Sequence, residues 1–379
     1  MKALKKYRWP LTGALLGVLV FLAVYGVRVL DPTSVDWILN SLSPDPIQHY
    51  LGWELFRRSP VHLPYIGANY NAIYPFRTSV LFTDSLPLAA LFFKLLGGIL
   101  PTRFQYFGWW GLLCYALQGG LAQAVIARIA GVQPTFGRDD KSKAAISMSP
   151  GQTAKLWGSV LGAGVLVLFP ALTIRMFAHT ALAANWLVLL ALYLWLRSDE
   201  LMPTTRRACL IWGGMGLLCA GIHLYYLPMV GLVLVGYAVR RALQKRGPAA
   251  VLAPIAAFCA AALAELVLLG AFAVNFAGYS NGYLSGADYF GLFVPWLAQS
   301  WEQNVYAGVG TSLAVVLAVF GIVCNARKAE KFFAAHRDWL IAGAVVLVLD
   351  LIAAGGNAIT VNGKTLFTVP IPQFLMNFW

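Results

Sequence analysis

Continuous apolar runs, separated by short polar stretches, recur along almost the whole chain, near residues 11–30, 105–128, 156–173, 180–196, 208–223, 227–240, 249–273, 307–324 and 339–356. Runs of this length suit helical crossings of a hydrocarbon core about 30 Å thick, whereas a membrane β-barrel would alternate with period two. The pattern predicts an all-α polytopic transmembrane bundle of about nine crossings, forming a single domain over 1–379. Segment 80–99 breaks the pattern. Asp84, Pro87 and Lys94 leave it only a short apolar core, Leu88 to Phe93, which predicts a re-entrant or interfacial helix.

Composition agrees with lipid as the solvent: 59% of residues are hydrophobic and only 11% charged, and mean hydropathy is +0.69. That excludes a water-soluble globule with a charged surface. The net charge of +13 comes from basic residues scattered in small clusters between apolar runs, without the aromatic-basic face of a nucleic-acid binder. The clusters report orientation. Lys2, Lys5, Lys6 and Arg8 precede the first run, placing the N-terminus in the cytoplasm. With nine crossings, twenty of the 28 Lys and Arg fall on that side, and a tenth crossing at 80–99 would invert the bias. Two longer loops then lie outside, residues 31–104 and 274–306, while the linker 131–155 faces the cytoplasm. The five cysteines sit in or at the ends of apolar runs without paired spacing, so neither a disulfide framework nor a zinc motif is expected.

The polar residues needing an explanation are few. Asp45 and His49 are four apart and share a face if a helix begins at Pro46, with Asp45 as its N-cap. Asp45 is then either a plain cap beside a solvated His49, or a general base near an anionic lipid head group. Asp84, ahead of Pro87, similarly reads as a helix-initiating acid or as a site residue. Arg57, Arg58, Arg77, Arg103 and Arg175 are the external cations able to grip a phosphate or merely anchor to lipid. His179 and His223 occupy successive external turns; without Cys partners or an H-E-x-x-H spacing, hydrogen bonding is the default for both. Glu265 and Asp350 lie inside apolar runs, where a transporter or lipid flippase would use them. Asp288, Glu302 and Gln303 stand among the aromatics of the second long loop, a composition shared by membrane belts and sugar sites.

Several stretches carry a resemblance. The N-in first helix, the long first loop and the Asp45-x-x-x-His49 setting resemble the GT-C class of membrane glycosyltransferases. Asp31 to Trp37, Asp45 to Trp53, Thr83 to Pro87, Phe104 to Gly108 and Arg175 to Trp186 look closer still to a bacterial polytopic membrane family classed as a domain of unknown function. The GT-C likeness implies sugar transfer from a polyprenyl-phosphate donor at the external face of a bacterial cytoplasmic membrane. It implies Asp45 as catalytic base with His49 orienting it and Asp84 as a further polar contact. Arg57, Arg58, Arg175, His179 and Glu302 would then hold substrate or lipid phosphate. The class commonly has a second acid where this chain has His179, and the family resemblance implies a longer C-terminal external region than a chain ending at Trp379 holds. No cofactor is singled out, a divalent metal being the one candidate. A non-catalytic scaffold is the third reading. Sugar, acceptor, carrier lipid and oligomeric state stay open.

Overall fold

The computed structural model describes residues 10–132, 150–274, 288, 291, 315, 316, 319, 320, 322–355 and 358–368. The second long loop, the run 307–324 and the linker 131–155 therefore lie wholly or largely outside the described residues. The protein is predominantly helical. Its first helix, α1 (Pro10–Tyr25), ends at Gly26, whose φ of +74° a side chain would strain. The first long loop follows, carrying α2 (Asp36–Leu39), α3 (Pro44–Arg58) and α4 (Pro87–Leu95). At nine residues, α4 is about 14 Å long, under half a hydrocarbon core.

The remaining helices are α5 (Phe107–Ile129), α6 (Pro150–Val167), α7 (Pro170–Arg175), α8 (Trp186–Leu196), α9 (Ser198–Leu201), α10 (Thr205–Ile222), α11 (Tyr226–Leu243), α12 (Pro248–Leu268), α13 (Ala326–Ala335) and α14 (Arg337–Gly355). Three of them, α5, α11 and α12, are long and apolar enough to cross a membrane; Leu11–Tyr25 and Thr180–Leu196 are shorter apolar segments. The chain is a helical membrane protein. An antiparallel hairpin qualifies the all-α expectation: β1 (Ala358–Val361) pairs with β2 (Lys364–Thr368). Its turn is Asn362-Gly363, both with positive φ, the dipeptide that two-residue hairpins favour because their twist needs left-handed backbone.

The chain divides into two compact units, Met1–Leu234 with Pro248–Phe276, and Val235–Gly247 with Ala277–Trp379. In the first, α1 packs on α5 at backbone distance. A Cβ on Gly13 would meet the Gly119 carbonyl oxygen at 2.3 Å, and one on Gly119 would meet that of Gly13 at 2.1 Å. Gln123 Oε1 accepts the Gly13 N–H (2.7 Å) and the Thr12 hydroxyl (2.9 Å) beside this crossing. In the second unit, Arg240 donates to Asp338 (3.0 Å) and lies over the Trp339 ring. There Asp288 accepts the N–H groups of Asn362 (3.0 Å) and Gly363 (2.6 Å). Its place is therefore to hold the hairpin turn.

Candidate functional site

Four segments of the first unit meet around one carboxylate. Helix α3 begins where Ser43 caps it, its hydroxyl accepting the Asp45 N–H, with Pro44 in the first turn. The cap is thus Ser43 and not Asp45, whose carboxylate is left to other partners. Asp45 and His49 share a face, as their spacing predicts. His49 is 2% exposed, along with buried Tyr50, Trp53 and Phe56.

The segment ahead of α4 supplies Asp84. Thr83 and Ser85 share a hydrogen bond (2.8 Å), and Ser85 donates to the His49 carbonyl (2.7 Å). Gly52 makes this contact available: a Cβ there would sit 2.4 Å from Thr83 Cβ and 2.7 Å from Ser85 Oγ. From the other side, the buried Tyr106 hydroxyl donates to the Ser85 carbonyl. Gln105 fixes the approach to α5, donating to the carbonyls of Val29 (2.9 Å) and Asp31 (2.8 Å) while accepting the Gly108 N–H (3.0 Å). Asp84 and Leu86 both adopt positive φ, 51° and 56°, a conformation costing roughly 1–3 kcal/mol per non-glycine residue and concentrated at functional sites. Leu86, not Asp84, stands at the N-cap of α4, so helix initiation does not account for the acid.

His223 caps the C-terminus of α10, where Gly221 lies against Leu88 of α4. Its Nε2 is 3.0 Å from Asp84 Oδ1, and its Nδ1 accepts the Tyr225 N–H at 3.2 Å. An accepting Nδ1 puts the proton of neutral His223 on Nε2, which donates to Asp84. His49 Nε2 lies 3.5 Å from Asp84 Oδ2. The fourth segment leaves α7 through Phe177, at φ 63°, packed on Trp37 and Tyr25. It delivers His179, whose N–H bonds the Arg175 carbonyl (2.8 Å) and whose Nε2 is 3.7 Å from Asp45 Oδ2. The His49 and His179 ring centroids are 6.5 Å apart.

Charge follows from this geometry. Burial of the Asp84 carboxyl raises its proton affinity, but the contacts from His223 and His49 outweigh that and hold it well below the usual carboxylate range. Burial lowers the His179 pKa, against the opposing pull of Asp45 and with added repulsion from Arg175. The cluster therefore offers an ionised carboxylate beside a neutral imidazole at physiological pH. One ligating atom from each of His49, Asp84 and His179 lies within 4.8 Å of the others.

Of the residues singled out from sequence, the structure brings Asp45, His49, Asp84 and His179 together, with Arg175 one turn before His179. Arg57 and Arg58 are not with them. They end α3, eight and nine residues beyond His49 or at least about 12 Å along the axis, where both pair with Glu54 and Arg57 also donates to the Pro101 carbonyl (3.0 Å). Arg77 lies over Tyr70 and Arg103 near Asp36 (3.9 Å). Glu302 lies outside the described residues. Glu265 is half-buried on α12 and Asp350 exposed on α14, and neither has an ion pair among the described residues. Sequence reasoning weighed His223 apart from the cluster and passed over Ser85, Gln105 and Tyr106. Polar side chains in an otherwise apolar stretch were the available signal.

Fold and site together define a helical membrane protein with a partly buried carboxylate-imidazole cluster assembled from its first long loop and two later turns. Residues 14–379 match the family model described as "Domain of unknown function (DUF6311)", and the chain belongs to that family. No curated protein and no solved structure matches it.

Proposed function

We propose that the protein is a membrane glycosyltransferase that moves a sugar from a polyprenyl-phosphate donor to an acceptor hydroxyl at the external face of a bacterial cytoplasmic membrane. The observation carrying this reading is that Asp45, His49 and Asp84 of a first long loop, which resembles the acid-bearing loop of GT-C enzymes, converge with His179 from the turn after α7. In the reaction the acceptor oxygen attacks the anomeric carbon as its proton passes to the base. The bond from that carbon to the phosphate oxygen breaks, and its electron pair leaves with the lipid phosphate. Asp45, with its side chain 34% exposed, is the base. Asp84, whose protonation its neighbours resist, is the fixed negative charge that keeps the imidazoles oriented. Arg175 faces the departing phosphate. On an adjoining flank of α3, an apolar groove of about 600 Å³ lined by Ile47, Leu51, Leu55, Ile73, Phe82 and Thr83 reaches the residue next to Asp84 and suits an isoprenoid chain.

The same reading keeps nine crossings with a cytoplasmic N-terminus. It gains support because residues 45, 49, 84, 179 and 223, which converge in space, all fall on one side of the membrane in that topology. A reporter fused near residue 140 should respond as cytoplasmic; an external response would sink the arrangement. For the chemistry, Asp45→Asn should lower donor-dependent transfer by roughly 10²–10⁴-fold while expression and membrane insertion persist, and unchanged turnover would refute the assignment. Native mass spectrometry of polyprenyl-phosphate retention by wild type and Arg175→Ala reports donor binding separately.

A further inference from the structure

We propose that His49, Asp84 and His179 form a binding site for one divalent transition metal of the zinc type, with His223 holding Asp84 in position. Two imidazoles and a carboxylate, from three separate segments, are the donor set such ions prefer, and three protein ligands leave a position for water or substrate. Ligand atoms about 2.05 Å from a tetrahedral centre stand ~3.4 Å from one another. The separation of 3.5 Å between His49 Nε2 and Asp84 Oδ2 already has this value. The set as a whole, within 4.8 Å, closes on a metal by side-chain adjustments of about 1 Å.

Hydrogen bonding alone leaves His49 unexplained. It is 2% exposed, and its Nε2 stands 3.5 Å from Asp84, longer than a good N–H···O bond. His223 is different in kind. The Tyr225 N–H occupies its Nδ1, so its Nε2 proton serves Asp84 at 3.0 Å, the carboxylate-orienting contact that metal sites use. Asp45 is not one of the residues whose ligating atoms all lie within 4.8 Å of one another. The inference goes beyond the transferase reading and does not depend on it.

The test uses the full chain in detergent, stripped with a chelator, then given Zn²⁺, Mg²⁺ or Co²⁺ alone. One Zn²⁺ per chain by elemental analysis, little Mg²⁺, and the visible d–d absorption of four-coordinate Co²⁺ are expected. His49→Ala, Asp84→Asn and His179→Ala should each weaken zinc binding more than about 100-fold, and His223→Asn by about 10- to 100-fold. His62→Ala, a half-buried histidine whose ring lies tilted against Tyr70, should leave it unchanged. No stoichiometric zinc in wild type, or equal zinc in wild type and the His49/His179 double variant, overturns the site. The cobalt spectrum of wild type decides the matter even if a variant fails to fold. Zinc bound by a protein that transfers no sugar overturns only the transferase reading; transfer by zinc-free protein overturns a role for the metal in it.

Discussion

The two ends of α3 carry similar charged residues and put them to different use. At its C-terminal end Glu54, Arg57 and Arg58 pair with one another at three- and four-residue spacing, and Arg57 reaches a loop carbonyl. Lys94 also reaches this end, but it donates to the Phe56 backbone carbonyl (2.9 Å) and covers the Phe56 ring. At its N-terminal end Ser43 takes the capping duty, which frees Asp45 and His49 to meet His179 and Asp84, residues more than thirty positions away. Charges that local neighbours can satisfy stabilise a helix. Charges that remain after local demands are met, and that converge from several segments, are available for chemistry.

The sharpest way to break this contrast is Asp84→Asn. It removes the charge around which His49 and His223 gather, and transfer should fall roughly 10²–10³-fold in membranes where the variant is present at wild-type level. A variant that melts earlier yet transfers normally would reduce Asp84 to an anchor. Gly52→Ala acts one step back, driving a methyl group into Thr83 and Ser85. It should cost about 1–3 kcal/mol and lower transfer even at equal folded fraction; thermal melting with activity separates the two. The smallest effect belongs to the other end of the helix. Glu54→Gln with Arg57→Ala and Arg58→Ala should shift stability by at most ~1 kcal/mol and transfer by no more than about two-fold. A hundred-fold loss would instead return Arg57 and Arg58 to the phosphate.

The long apolar runs were readable because lipid imposes a composition on any helix that crosses it: 105–128 became Phe107–Ile129, and 249–273 became Pro248–Leu268. The break at 80–99 was also readable, from Pro87 and the charges flanking a short apolar core. Less visible were the competitions between neighbours. Asp45 has the chemistry of a cap, but Ser43 and Pro44 start the helix two residues earlier. Asp84 stands before a proline, yet its left-handed backbone passes the capping position to Leu86. The hairpin at 358–368 was signalled by Asn362-Gly363 between β-branched residues and hidden by the helical character of everything around it. His223 joins Asp84 across 139 residues, and only packing such as Leu88 against Gly221 records that meeting.

The junction at residues 104–106 ends the first loop and begins α5 without a break: Gln105 ties it to Val29 and Asp31, and Tyr106 ties it to Ser85. The carboxylate next to Ser85 is thereby geared to a membrane-length rod of about 34 Å. Any lean of that rod would be passed through Tyr106 to the backbone beside Asp84, which couples the site mechanically to the helix it adjoins.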